Sequence, residues 1–273
     1  MMPAAARLER WRHVLVLGVL VGVWQVAAME LGGFVVASPA ETLRSLGEGL
    51  RDGWLPTATW VTLKETVLGY ALAVATGVSA GILLGRHRFW GEVFDPLIAL
   101  VYSIPKVTLY PVFLLLFGLG YASKVAFGWF HGVFPILIFT AAGIRTVRPV
   151  YHKLARTLGL SPWQRFYHVE FPAALPAVLT GLRFGFSLTF LGTILGEMFA
   201  SKHGLGFELM QATTVHVVPR IFALILVMVV LAVLANGLLV RFEGTVTRQG
   251  GPSSAARRAS PGAPGEVGFR SAS

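Results

Sequence analysis

Long apolar runs separated by short basic stretches constrain this chain more than any other feature. Spanning a hydrocarbon layer of roughly 30 Å takes about 20 mostly apolar residues in a helix that rises about 1.5 Å per residue. Six segments approach that length: residues 14–29, 66–85, 97–118, 125–143, 175–197 and 221–240. The last carries no charge, whereas the third contains Pro105, Lys106 and Pro111 and is expected to be kinked or locally unwound. Of all residues 55% are hydrophobic and only 13% charged, about half the charged share of a soluble domain. The expected fold is therefore an all-α membrane protein with six spans in one domain covering residues 14–243.

Charge placement orients those spans, because cytoplasmic loops retain Lys and Arg. With the N-terminus inside, sixteen of the 23 basic residues fall on the cytoplasmic side, including Arg7, Arg10, Arg12, Arg86, Arg88, Arg145, Arg148, Lys153, Arg156 and Arg165. Both termini are then cytoplasmic, with residues 1–13 as a short leading segment. Arg7, Arg10 and Arg12 ahead of an apolar run also match the start of a cleavable signal peptide, but the further spans favour a retained helix. The net charge of +10 marks topology rather than nucleic-acid binding, since the basic residues sit in short clusters between apolar runs. Residues 244–273, rich in Gly, Pro, Ser, Ala and Arg without apolar periodicity, are expected to be disordered.

The loop at residues 144–173 is too polar for lipid yet carries an ordered pattern. Arg148-Pro149 suits a helix start. Val150, Leu154 and Leu158, with Tyr151 and Ala155 beside them, recur at helical spacing and predict one apolar face, while Lys153 and Arg156 point elsewhere. Gly159 fits the left-handed position that ends a helix. Ser161-Pro162-Trp163-Gln164 then reads as a Ser-x-x-Gln capping box opening a second, short helix. A helix-turn-helix made to dock on a partner follows; the alternative is a helix lying on anionic lipid with Lys153 and Arg156 snorkelling.

Here the chain resembles the membrane subunits of binding-protein-dependent ABC importers. Their motif in this loop is Glu-Ala-Ala, three residues, Gly, nine residues, Ile, one residue, Leu-Pro. This sequence has Lys153-Leu154-Ala155, Gly159, Val169 and Phe171-Pro172 at those spacings, followed by Pro176 and Gly181-Leu182-Arg183. The motif's Glu and first Ala are absent. Ser38-Pro39 with Thr42-Leu43, Thr62-Leu63 with Gly69-Tyr70, Ile104-Pro105-Lys106 with Tyr110-Pro111, Phe117-Gly118-Leu119-Gly120, Glu197-Met198 and Gly204-Leu205-Gly206 extend the likeness over roughly residues 38–243. They narrow it to the nitrate, sulfonate and taurine branch.

The resemblance implies the type I ABC importer permease fold, acting as a homodimer. It implies two cytoplasmic ATPase subunits that bind ATP and Mg²⁺ in place of this chain, and an external solute-binding protein. The first loop helix would be the coupling helix, with Val150, Tyr151, Leu154, Ala155, Leu158, Gly159 and Pro172 as its coupling residues. Cargo in this branch is an alkylsulfonate, taurine or nitrate, with a thiamine-precursor pyrimidine as the alternative. From another class, an ATP-independent channel or secondary transporter leaves the loop helix unexplained.

Catalysis has no visible basis. No Gly-x-x-x-x-Gly-Lys-Ser/Thr loop occurs, there is no cysteine, and none of the seven His forms a His-x-x-x-His pair with a carboxylate, so no metal site is expected. Gly77-Val78-Ser79-Ala80-Gly81 imitates a nucleophile elbow but lies mid-span; Gly77, Gly81 and Gly85 instead suggest a groove for close helix packing. Ionisable groups at membrane depth are costly and so are site candidates. Lys106 with Tyr110 would line a passage favouring anions, unless Lys106 is structural, neutralised by Glu65 or Glu197 or snorkelling outward. His131 is a path candidate or a hydrogen-bonded packing residue. Glu197 reads equally as interface or gate. Lys202, Gly204, Gly206, His216 and Arg220 form an external segment that either meets the binding protein or is solvated.

Overall fold

A computed structural model describes the backbone of residues 4–250 and the side chains of residues 15–241, 243 and 244. Among these residues the ordered elements are all helical. In chain order they are α1 (Ala4–Leu31), α2 (Pro39–Arg51), α3 (Trp54–Arg86), α4 (Arg88–Ser103), a 3₁₀ turn (Lys106–Leu109) and α5 (Tyr110–Phe117). There follow α6 (Tyr121–Arg145), α7 (Pro149–Thr157), α8 (Pro162–Arg165), a π turn (Phe166–Glu170), α9 (Phe171–Ala200), α10 (Leu205–Thr214) and α11 (Val218–Gly250).

Four stretches, Trp54–Arg86, Tyr121–Arg145, Pro162–Ala200 and Val218–Arg241, are long and apolar enough to cross a membrane, and the bent pair α4–α5 makes a fifth. The bend at Pro105 is 87°, so the third expected span is broken where its prolines lie. In α1 the described apolar stretch is Leu15–Leu31, about 25 Å at the usual rise, slightly short of a full hydrocarbon layer. Its side chains are largely bare, and Trp24 secures it: the indole N–H donates to the Ala37 carbonyl at 2.9 Å and the ring stacks on Phe222 at 5.9 Å.

α6 is the hub, packed most extensively against α3 and α9. Small residues allow this. A Cβ added at Gly81 would stand 2.6 Å from the Thr140 Cβ, and one at Gly77 2.9 Å from the Ile136 Cβ, so the α3 and α6 backbones approach as the glycine spacing predicts. Ser79 lies exposed on the helix surface beside this groove, far from the geometry of a nucleophile elbow.

Two expectations are corrected. The second loop helix is not short: α8, the π turn and α9 form one 39-residue helix, Pro162–Ala200. Pro172 and Pro176 lack the N–H groups an α ladder needs, and the wider turn at residues 166–170 relaxes that ladder just ahead of them. The expected disordered tail starts too early, because α11 continues to Gly250; residues 251–273 lie outside the described residues.

Candidate functional site

Two polar constellations stand at opposite ends of the α3–α6–α9 core. At one end, α7 and the turn after it are held in a fixed shape. Gly159 has φ +66°, and the N–H groups of Gly159 and Leu160 donate to the carbonyls of Arg156 and Ala155, each at 3.0 Å. That is a Schellman ending, which needs the left-handed glycine. Ser161 caps the next helix, its hydroxyl accepting from the Gln164 N–H at 3.2 Å while the Gln164 side chain accepts from the Ser161 N–H at 2.9 Å. Turn and cap together make a stiff corner.

The apolar face of α7 divides in two. Val150, Tyr151, Leu154 and Leu158 are 56%, 42%, 55% and 64% exposed, whereas Ala155 is buried. Ala155 and the half-buried His152, three residues apart, face the bundle, and the larger apolar side chains point away from it. Pro172 stands in the first turn of α9, away from this face. Behind α7, Glu170 is 4% exposed and gathers two guanidinium groups and an imidazole: Arg165 Nε at 2.9 Å, Arg86 Nε at 3.1 Å and His152 Nδ1 at 3.7 Å. Arg86 also lies over the Phe166 ring at 4.9 Å.

At the other end, Glu65 pairs with Lys124 at 3.0 Å, and Lys124 donates to the Ser201 hydroxyl at 2.8 Å. Glu197, fully buried, accepts from the Thr62 hydroxyl at 2.8 Å and from the Gly206 N–H at 2.8 Å, while Thr62 accepts from the Leu205 N–H at 2.9 Å. The Glu197 carboxylate thus sits at the N-terminus of α10, where unpaired N–H groups and the helix dipole favour a negative charge. Gly204 has φ +108°, and a Cβ there or at Gly206 would collide with the Glu197 side chain. The Gly204-Leu205-Gly206 run is therefore a fitted seat for Glu197.

The remaining candidates are dispersed. Lys106 lies at the break, its Nζ 4.0 Å from the Tyr102 ring and 5.5 Å from the Phe134 ring; Lys124, not Lys106, neutralises Glu65. Tyr110 is buried, its hydroxyl donating to the Gly196 carbonyl at 2.8 Å. His131 is buried with Nδ1 2.9 Å from the Phe127 carbonyl, and its ring occupies the space beside Gly192. Lys124 and Glu170 escaped the sequence reading. Each lies next to an apolar run at helical reach of an opposite charge only after folding, although the Arg165–Glu170 spacing was a local hint.

A bundle of long apolar helices with a broken member, tight glycine seams and a rigid polar loop carrying an exposed apolar face defines a polytopic membrane protein. The family described as binding-protein-dependent transport system inner membrane component matches residues 73–248, and the chain belongs to it: it is an ABC transporter permease of the nitrate, sulfonate and taurine type. Permeases of this family are membrane subunits without an ATPase of their own.

The chain is 31% identical to the formylaminopyrimidine transport permease ThiX of Halalkalibacterium halodurans, over 82% of this chain and 90% of that one. It is 28% identical to the aliphatic sulfonates permease SsuC of Bacillus subtilis, covering 88% of each. With the nitrate import permease NrtB of Synechocystis it shares 26%, over 86% and 88%. Among solved structures, the inward-facing MetNI methionine ABC transporter superposes with a TM-score of 0.62 at 17% identity, over 70% of this chain and 95% of that one, a likeness of fold.

Proposed function

We propose that this chain is the membrane subunit of an ATP-driven importer for a small anion. It crosses the membrane six times with both termini in the cytoplasm, acts as a homodimer, and receives its cargo from an external solute-binding protein. α7 is its coupling helix: two cytoplasmic ATPase subunits, which alone hold ATP and Mg²⁺, bury Val150, Tyr151, Leu154 and Leu158. The carrying observation is that these four side chains, each 42–64% exposed, project from a rigid corner. A bare apolar cluster of this kind marks a docking face.

The cargo reading rests on Lys106. Its ammonium stands at the broken span against aromatic faces with no carboxylate in ion-pair range among the described residues, leaving a positive charge available to an anion in transit. A pyrimidine is the second reading, favoured by the likeness to the formylaminopyrimidine permease. The test is co-purification with ABC ATPases. The expected result is a stable complex that Leu154→Asp dissociates; transport in vesicles containing no ATPase would overturn the reading. Ligand-dependent thermal stabilisation of the co-assembling binding protein, screened with sulfonates, nitrate and pyrimidines, separates the two cargo classes.

A further inference from the structure

α7 has little to hold it. Among its own side chains only Ala155 is buried, and its main packing partner is the π turn at residues 166–170. A partner pushing on α7 therefore needs a rigid connection to the membrane-crossing helices, or the movement is lost in the loop. Glu170 is placed to be that connection. It lies in the π turn, is nearly enclosed, pairs with Arg165 of α8 and with Arg86 at the last residue of α3, and has His152 Nδ1 of α7 at 3.7 Å from its carboxylate. In the importer motif this is the unspecified residue between Ile and Leu-Pro, while the motif's own Glu is replaced here by Lys153.

We infer that Glu170 is a positioning residue that carries displacement of the coupling helix into α3 through its paired contacts with His152 and Arg86. This rests on the coupling role of α7 proposed above. Glu170 accepts one charge-assisted hydrogen bond, from Arg165 Nε at 2.9 Å, and its other oxygen is ion-paired with Arg86 at 3.1 Å; drawing Arg86 away would leave that buried oxygen without a counter-charge, so the contact resists separation. Arg86 also lies over the ring of Phe166 in the same turn, a second contact between α3 and the joint. Among the described residues, Arg86–Glu170 is the one ion pair that joins the π turn behind α7 to α3.

The chain contains no cysteine, so Lys64→Cys, exposed near the far end of α3, takes one nitroxide per copy. Pulsed electron resonance in the assembled transporter then reads the distance between the two labels with and without ATP and vanadate. In the otherwise unchanged chain, ATP and vanadate shift that distance. Glu170→Gln and Arg86→Gln are each expected to cut the shifted population at least roughly fivefold, the lower end of usual coupling between sites. Both should retain the ATPase and its hydrolysis of ATP, and the double variant should be no worse than either single one.

Arg86→Gln, at a partly exposed residue, keeps the test valid if the buried substitution misfolds. An intact shift in Arg86→Gln overturns the inference. Leu154→Asp separates this from the underlying reading: if it leaves the complex assembled, the coupling role of α7 itself fails, whatever Glu170 does.

Discussion

The two ends of the core solve opposite problems with the same residue types. At the α10 end, the buried Glu65, Lys124, Thr62 and Glu197, with the half-buried Ser201, are linked by one ion pair and several hydrogen bonds that tie α3, α6, α9 and α10 together. At the α7 end, the charges gather behind the helix on Glu170 and the apolar side chains are turned outward. One end is enclosed within the chain; the other leaves its larger apolar side chains exposed. Stability of the isolated protein should accordingly reside in the first, and dependence on a partner in the second.

The sharpest way to break this contrast is Lys124→Met, which strands the buried Glu65 carboxylate. Losing one partner of a buried pair costs about 3–5 kcal/mol, so the apparent melting temperature of the detergent-solubilised chain should fall steeply. Lys124→Met combined with Glu65→Leu should recover most of it, because no buried charge is then left alone. Leu154→Asp should do the reverse. Its side chain is already more than half exposed, so the isolated chain should melt within about 0.5 kcal/mol of the original, while affinity for the ATPase drops by about 2 kcal/mol or more, the cost of truncating an interface anchor.

Smaller effects sharpen the comparison. Ser161→Ala removes the cap of the corner after α7 and should cost about 1 kcal/mol, visible as faster amide exchange at Gln164. The smallest effect concerns α2 at the opposite end. There Glu41 accepts hydrogen bonds from the Ser38 backbone and hydroxyl, which, led by the backbone contact, hold its carboxyl below the usual 4.5. A depressed folded value means that the contribution is fully present above about pH 4.5 and is lost as the pH falls through the lower, folded value. Glu41→Gln should therefore flatten the acid side of the thermal-stability profile slightly and leave neutral pH almost unchanged.

What the sequence made legible follows from local physics. The 87° break at Pro105, the left-handed Gly159, the Ser161 cap and the close approach at Gly77 and Gly81 each follow from a residue's own backbone limits or from spacing along one helix. The π turn was missed because it reflects how Pro172 and Pro176 share an unbroken helix, which a reading that ends helices near proline treats as a boundary. The same reading grouped Ala155 with Leu154 on one face, although the bundle covers only the former.

The chain alone therefore determined that long apolar helices alternate with basic loops, where they bend, and which small residues allow them to touch, since hydropathy, proline and glycine act at their own positions. Only the tertiary structure decided which charges meet. Glu65 and Lys124 come from different helices, Glu197 reaches Thr62 across 135 positions, and Glu170 finds Arg86 at the end of α3. Burying a carboxylate is tolerable only beside a specific donor, and that donor is supplied by packing rather than by neighbours in sequence.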